Sequence, residues 1–186
     1  MKMIPRKLPG LMDVHYQPFT DHRGYLAKPF DDRPFHDAGI DAHWRQIVLQ
    51  KTDHKNTIKG LHIQREPFDE AKLIVPLTGK VLWVNVDLRR NSPTFLKWES
   101  TLLEPGHDRA LFIERGFCHG SLSLTDDALL LIMADNHYSP EHCVGFAWDD
   151  PEIGIEWPLI PGAPLVMSDD HRTNPLFAAV RGTLGL

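Results

Sequence analysis

An all-β fold, a double-stranded β-helix jelly roll with short peripheral helices, is predicted by three observations. Candidate strands follow one another at spacings of roughly ten residues, separated by Gly, Pro, Asp or Asn clusters. Fifteen Pro are spread through 186 residues with no low-complexity tract, which means many defined turns. No periodic helical segments sit between the strands, which argues against an open parallel α/β sheet.

The strands read in order as Arg45–Lys51, Thr57–Gln64, Ala71–Leu77, Lys80–Leu88 after a turn at Thr78-Gly79, Phe95–Leu103, Arg109–Ile113, Cys118–Leu124, Ala128–Ala134 and Val144–Trp148. Gly39–Trp44 reads as a short turn or helix end, and Asn174–Arg181 as a C-terminal helix. In Lys80–Leu88 the alternation is clear. Leu82, Val84, Val86 and Leu88 form an apolar core face, while Val81, Trp83, Asn85 and Asp87 form a half-polar face suited to lining a pocket. Ala128–Met133 is apolar throughout, which predicts a strand buried on both sides, with a second layer or a partner subunit behind it. The length favours one domain over 1–186, with an N-terminal strand extension and a C-terminal helical tail.

Composition narrows the function classes. Hydrophobic content of 42% and charged content of 24% are those of an ordinary globular protein. A net charge of −5, with basic residues scattered, gives no footprint for nucleic acid. No apolar run approaches the roughly 20 residues that span a bilayer, so no membrane partner is expected. Met1–Gly10 lacks an apolar core segment and does not read as a signal peptide. Cys118 and Cys143 make neither a metal spacing nor a disulfide framework, and a reducing, cytoplasmic setting is the simplest expectation.

The stretch richest in chemistry is Lys59-Gly60-Leu61-His62-Ile63-Gln64, with Lys72 on the following strand. His62 and Gln64, two apart on a strand, point to one side of the sheet. Lys72 is expected to face them, because Leu73 and Val75 take the other face. A neutral imidazole beside a fixed ammonium is equipment for taking a proton from carbon next to a ketone: the His abstracts, and the Lys stabilises the enolate oxygen.

A metal site is the sharpest rival. Glu114-Arg115-Gly116-Phe117-Cys118-His119 is similar to a metal-binding word of jelly-roll enzymes, but His62 is followed at i+2 by Gln64 rather than His, and Lys72 would oppose a cation. The expectation is no metal. His54, His107, His142 and His137 read as loop histidines, and Asp149-Asp150 as the turn before Pro151. Trp148 and Trp157 read as core or interface aromatics. Cys118 and His119, as strand neighbours, point to opposite faces and make no direct dyad.

Several words taken together resemble the dTDP-4-dehydrorhamnose 3,5-epimerase family. They are Asp21-His22-Arg23-Gly24-Tyr25, Lys59–Gln64, Val86–Phe95, Gly116–Gly120, Asn136–Glu141 and Trp148–Pro158, in order along nearly the whole chain. The resemblance implies a cupin-barrel homodimer acting on a nucleotide-diphosphate-linked 4-keto-6-deoxy sugar, with no metal and no redox cofactor. It implies His62 as base, Lys72 as enolate stabiliser and His119 as a second pocket histidine. Arg23 would hold the diphosphate. Lys59 would share that role, with charge but no fork where the family has Arg. Gln64 would touch substrate and Tyr138 would stack on the base.

The family pattern also predicts departures. Ile132 stands where a proton-returning Tyr is expected, and Trp83 where an Asp beside the second His is expected. The partner of His62, an Asp in the family, is His171 by strict spacing or Asp170 with a one-residue shift. The family's Gln and Asn on the preceding strand fall near Ile47 and Leu49, and its Glu after the Tyr-Ser-Pro word is Cys143. These changes predict a different sugar or a single inverted carbon, with solvent, His119, His171 or Asp170 returning the proton. A binder that holds the nucleotide sugar without turnover is the alternative.

Overall fold

The structure is a computed structural model that describes residues 1–41, 43–106 and 108–186. Its strands are β1 (Lys2–Pro5), β2 (Leu11–His15), β3 (Phe19–Asp21), β4 (Gly24–Leu26), β5 (Gln46–Thr52), β6 (Ile58–Gln64), β7 (Lys72–Thr78), β8 (Val81–Asp87), β9 (Trp98–Leu103), β10 (Arg109–Ile113), β11 (Phe117–Ser123), β12 (Ala128–Ala134) and β13 (Cys143–Gly145). The helices are α1 (Asp32–Asp37), α2 (Asp169–Thr173) and α3 (Phe177–Val180). Among the described residues no helix is long and apolar enough to cross a membrane.

Two antiparallel sheets face each other. One has the order β1-β2-β10-β7-β12-β5, the other β13-β6-β11-β8-β9, and β3 and β4 form a separate hairpin. This is the expected all-β jelly roll. Between the sheets lie Leu11, Ile74, Val81, Trp83, Leu111, Ile113, Phe117, Leu130 and Ile132. A second cluster covers the outside of the six-stranded sheet, where Phe35 of α1 packs with Val14, Leu73, Val75 and Phe112. A third covers the outside of the five-stranded sheet, where Phe146, Ile153 and Phe177 of the C-terminal segment lie on Leu61, Val84, Val86 and Cys118.

The two faces of β8 divide along the expected alternation. Val84 and Val86 lie under the C-terminal segment, whereas the half-polar face with Trp83 and Asn85 turns into the space between the sheets. β12 departs from the sequence expectation. Ala128, Leu130, Ile132 and Ala134 are buried, but Leu129, Leu131 and Met133 are only half-buried. The outer layer ends short of this corner, where the neighbouring edge strand β5 exposes Ile47, Val48 and Leu49.

Smaller differences have local causes. β9 starts at Trp98 rather than Phe95, because Leu96 N–H donates to Asp87 O and Leu96 adopts a positive φ of 61° in the turn. β13 ends at Gly145, and Phe146 N–H then bonds Leu61 O. The expected helix end near Gly39 is real: α1 precedes it, Asp31 caps its start, and Gly39 takes the left-handed φ of 78° that closes it.

The word Val86–Phe95 builds a turn around one carboxylate. Buried Asp87 accepts from Arg89 N at 3.0 Å, Arg89 Nε at 2.9 Å, Arg89 Nη2 at 2.8 Å, and Ser92 Oγ and Thr94 Oγ1 at 2.6 Å each. Burial alone would raise its pKa, and these donors outweigh it and hold it low. Asp150 serves the turn that begins at Pro151 rather than one before it. It accepts from Glu152 N and Ile153 N, and it also anchors Phe177 N of α3 at 2.7 Å.

Candidate active site

The inner face carries a row of polar side chains across three adjacent strands. His119 on β11 lies opposite His62 on β6 on one side and Asn85 on β8 on the other. Residues directly opposite in an antiparallel pair share a face. Lys72, on β7 of the other sheet, is buried on the same interior as Ile74, while Leu73 and Val75 pack outside. The predicted trio of His62, Lys72 and His119 is thus brought together, and the positive charge of Lys72 acts on both histidines.

A bulge sets the rest of β6. Gly120 pairs with Gly60 and His119 with His62, so Leu61 is the extra residue. Without it, Lys59 and His62 would point to opposite faces. With it, Lys59 pairs with Ser121, which faces inward, and Lys59 Nζ reaches Lys51 O on β5 at 2.7 Å. Gly60 has a φ of 102°, and a Cβ there would meet His119 O at 2.5 Å, so this close crossing requires glycine.

Burial first, then Lys72 and His171, push the pKa of His62 down to about 4. His62 is therefore a neutral imidazole at neutral pH, with a lone pair available. His171 on α2 lies parallel to it, with ring centroids 6.3 Å apart and planes within 3°. Of the two predicted partners of His62, His171 is the one in place. Asp170 is exposed, and its charge acts on His171. Burial also lowers the pKa of His171.

Lys72 pairs with Glu70, both side chains being about nine-tenths buried at 11% and 12% exposure. Glu70 has no role in the sequence reading, although its place two residues before Lys72 on the same side was a signal for it. Asn85 was missed in the same way. With Trp83 where an Asp was expected, the next residue on that face is the buried Asn85, whose Oδ1 lies 3.1 Å from His119 Nδ1. Gln46 and Gln50 were also missed. Val48 of β5 pairs with inward-facing Ile132, so the face of Val48, with Gln46 and Gln50, looks inward. Gln50 Nε2 donates to Ser121 Oγ at 3.3 Å. Ile47 and Leu49 look outward, so the inward amides lie one residue away from the positions that the family pattern gives.

The other predicted residues fall outside this cluster or are engaged elsewhere. Gln64 is buried, and its amide ties two loops, donating to Phe68 O and His137 O and accepting from Ser139 N. Tyr138 is 63% exposed on the loop after β12, with its N–H on Gln46 Oε1 at 2.8 Å. Arg23 lies on the β3–β4 hairpin, exposed and paired with Asp21. His54 and His137 are on the surface, His142 packs half-buried on Phe68, and His107 lies outside the described residues. Among the described residues no three His, Cys, Asp or Glu side chains are grouped to hold a metal.

The model of the dTDP-4-dehydrorhamnose 3,5-epimerase family matches residues 5–179. The chain belongs to that family. An epimerase of this name from Methanothermobacter thermautotrophicus is 34% identical, with 94% of each chain covered. An epimerase structure from Mycobacterium tuberculosis superposes with a TM-score of 0.91 at 30% identity, covering 98% of this chain and 92% of that one. A 3′-monoepimerase from Streptomyces bikiniensis, solved with dTDP-quinovose, has a TM-score of 0.88 at 30% identity, covering 98% and 91%. The family carries isomerase chemistry on the cupin-type jelly roll.

Proposed function

We propose that this protein is an isomerase that epimerises a nucleotide-linked 4-keto-6-deoxy sugar at C3, C5 or both, in deoxysugar or surface polysaccharide synthesis. The observation that carries the reading is the neutral His62 and the buried Lys72 converging from two sheets. In the proposed reaction His62 takes the proton from the carbon beside the C4 ketone. The electron pair moves onto the ketone oxygen, and the ammonium of Lys72 stabilises the resulting enolate. Glu70 pairs with the Lys72 ammonium and aims it. Reprotonation from the opposite face inverts the carbon. These side chains carry the chemistry alone, without metal or redox cofactor.

With Ile132 on β12, no side chain of that position can deliver the returning proton, and water is proposed to do so. One relative of similar fold is described as a 3′-monoepimerase, which supports inversion at a single carbon here. Lys59 is proposed to bind the diphosphate, Gln46 and Gln50 to face the nucleotide, and exposed Tyr138 to stack on it.

The homodimer is supported by the apolar surface of Ile47, Leu49, Leu131 and Met133 on the outer corner of the six-stranded sheet. The hairpin of Arg23 joins neither large sheet and exposes Phe19 and Leu26. That supports Arg23 serving a neighbouring copy. A cytoplasmic setting is proposed on the two free cysteines.

The test is proton NMR of a 4-keto-6-deoxy nucleotide sugar with the protein in deuterated water, beside His62→Ala. Loss of the C3 or C5 proton signal, absent in the variant, is expected and names the carbon. The absence of a Tyr at position 132 favours a second reading, a binder without turnover. Saturable binding with no exchange would select it.

A further inference from the structure

Asn85 is fully buried on the inner face of β8. Its Oδ1 lies 3.2 Å from Trp83 Nε1 and 3.1 Å from His119 Nδ1. Its Nδ2 has no partner among the described residues. An indole N–H only donates, so Trp83 decides which end of the amide faces it, and that end is the oxygen. The oxygen has no proton to give, so the contact with His119 is a donation from Nδ1–H. A neutral imidazole carries one such proton, which leaves Nε2 as a bare lone pair. The two ring nitrogens diverge, so Nε2 looks away from β8 and toward the space beside His62. A carboxylate in place of the amide would favour a second proton on the ring and make Nε2 a donor. Asn85 does the opposite.

We propose that Asn85, braced by Trp83, is the positioning residue that fixes His119 in the Nδ1–H tautomer, so that His119 Nε2 accepts a hydrogen bond from a sugar hydroxyl. This rests on the epimerase reading and deepens it. The substrate keeps a free hydroxyl on a ring carbon near the reacting one, and an analogue lacking it leaves His119 Nε2 unpaired. It also removes His119 from the candidates for returning the proton, since Nε2 has none to give. The other titratable groups around the cluster are His62 on β6, Lys72 on β7 and Glu99, opposite Asn85 on β9, which is held by Arg6 at 2.8 Å and by Leu8 N–H.

The test is long-range proton–nitrogen correlation NMR on protein labelled with ¹⁵N-histidine, near neutral pH and without substrate. His119, assigned by the loss of its signals in His119→Asn, is expected to show a protonated Nδ1 and a bare Nε2. In Asn85→Leu the ring is expected to move to the Nε2–H form that free imidazole side chains favour. In Asn85→Asp both nitrogens are expected to be protonated. Trp83→Phe keeps the ring packing and is expected to yield a mixture of tautomers. In turnover, Asn85→Leu is expected to lower kcat/KM by about tenfold or more, as losses of such orienting partners do, and chiefly through KM. An Nε2–H form in the unaltered protein, or an unchanged His119 signature in Asn85→Leu, would overturn the proposal whatever the protein turns over. The expected tautomers together with no turnover of any 4-keto sugar would instead overturn the epimerase reading and leave the positioning role standing.

Discussion

The rings of His62 and His171 lie parallel, within 3° and with centroids 6.3 Å apart. A second imidazole thus stands where an acidic partner would orient and strengthen the base. It leaves His62 neutral and weakly basic, because burial, Lys72 and His171 itself all oppose an imidazolium there.

His171→Asp is therefore expected to raise the pKa of His62 above its present value of about 4 and to increase the rate of solvent exchange on the order of tenfold, within the usual reach of general-base tuning. His62→Ala is expected to lose about 10²–10⁴ in rate. The measurement is the deuterium-exchange rate of each variant. A slower His171→Asp protein with a raised His62 pKa would refute the role given to the base.

The pH profile follows from the same numbers. His62 must be neutral to accept a proton, so kcat/KM is expected to rise with pH through about 4 and to be flat on that limb from about pH 5. Stability should respond sooner. His62, His119 and His171 all have folded pKa values below their unfolded ones. The unfolded chain therefore binds more protons below about pH 6.5, and stability falls as pH falls, by up to about 1.4 kcal/mol per pH unit for each such histidine. Urea unfolding between pH 7 and pH 5 reads this, and a stability that rose on acidification would contradict it.

Ile132→Tyr places a phenol on the inner face of β12, opposite Ile74 of β7. It is expected to add a proton donor and raise the fraction of inverted product per enolisation, at a cost of roughly 1–3 kcal/mol for overpacking. Comparing product stereochemistry with the exchange rate separates the two effects. Inversion per enolisation identical to that of the parent protein would mean that water delivery is already efficient.

Asp87→Ala removes the carboxylate on which Arg89, Ser92 and Thr94 converge. Breaking such a buried pair is expected to cost about 3–5 kcal/mol, with Asp87→Asn intermediate. Thermal unfolding measures it, and a loss under about 1 kcal/mol would mean the turn holds without it.

Leu49→Glu puts a charge at the centre of the exposed apolar edge formed with Ile47 and Met133. The expected result is a shift from dimer to monomer in light scattering, with the far-UV spectrum unchanged. A parent protein already monomeric at micromolar concentration would refute the proposed dimer.

What the sequence determined by itself was local and periodic. Turn clusters at regular spacing marked the strands from Arg45 onward, and Leu73 and Val75 opposite Lys72 identified its inward direction, because side-chain direction on a strand depends only on spacing. That His62 and Lys72 share one interior was legible for the same reason. Only the tertiary structure decided what depends on pairing across strands. The bulge at Leu61 turned Lys59 inward, the β5–β12 register selected Gln46 and Gln50 over Ile47 and Leu49, and α2 presented His171 rather than Asp170. A one-residue shift reverses every face, and spacing along a single strand carries no information about which residue of a distant strand will lie opposite. Asn85 shows the limit most sharply: the sequence places it on a pocket-lining face, and it becomes the partner of His119 only when β8 and β11 are laid side by side.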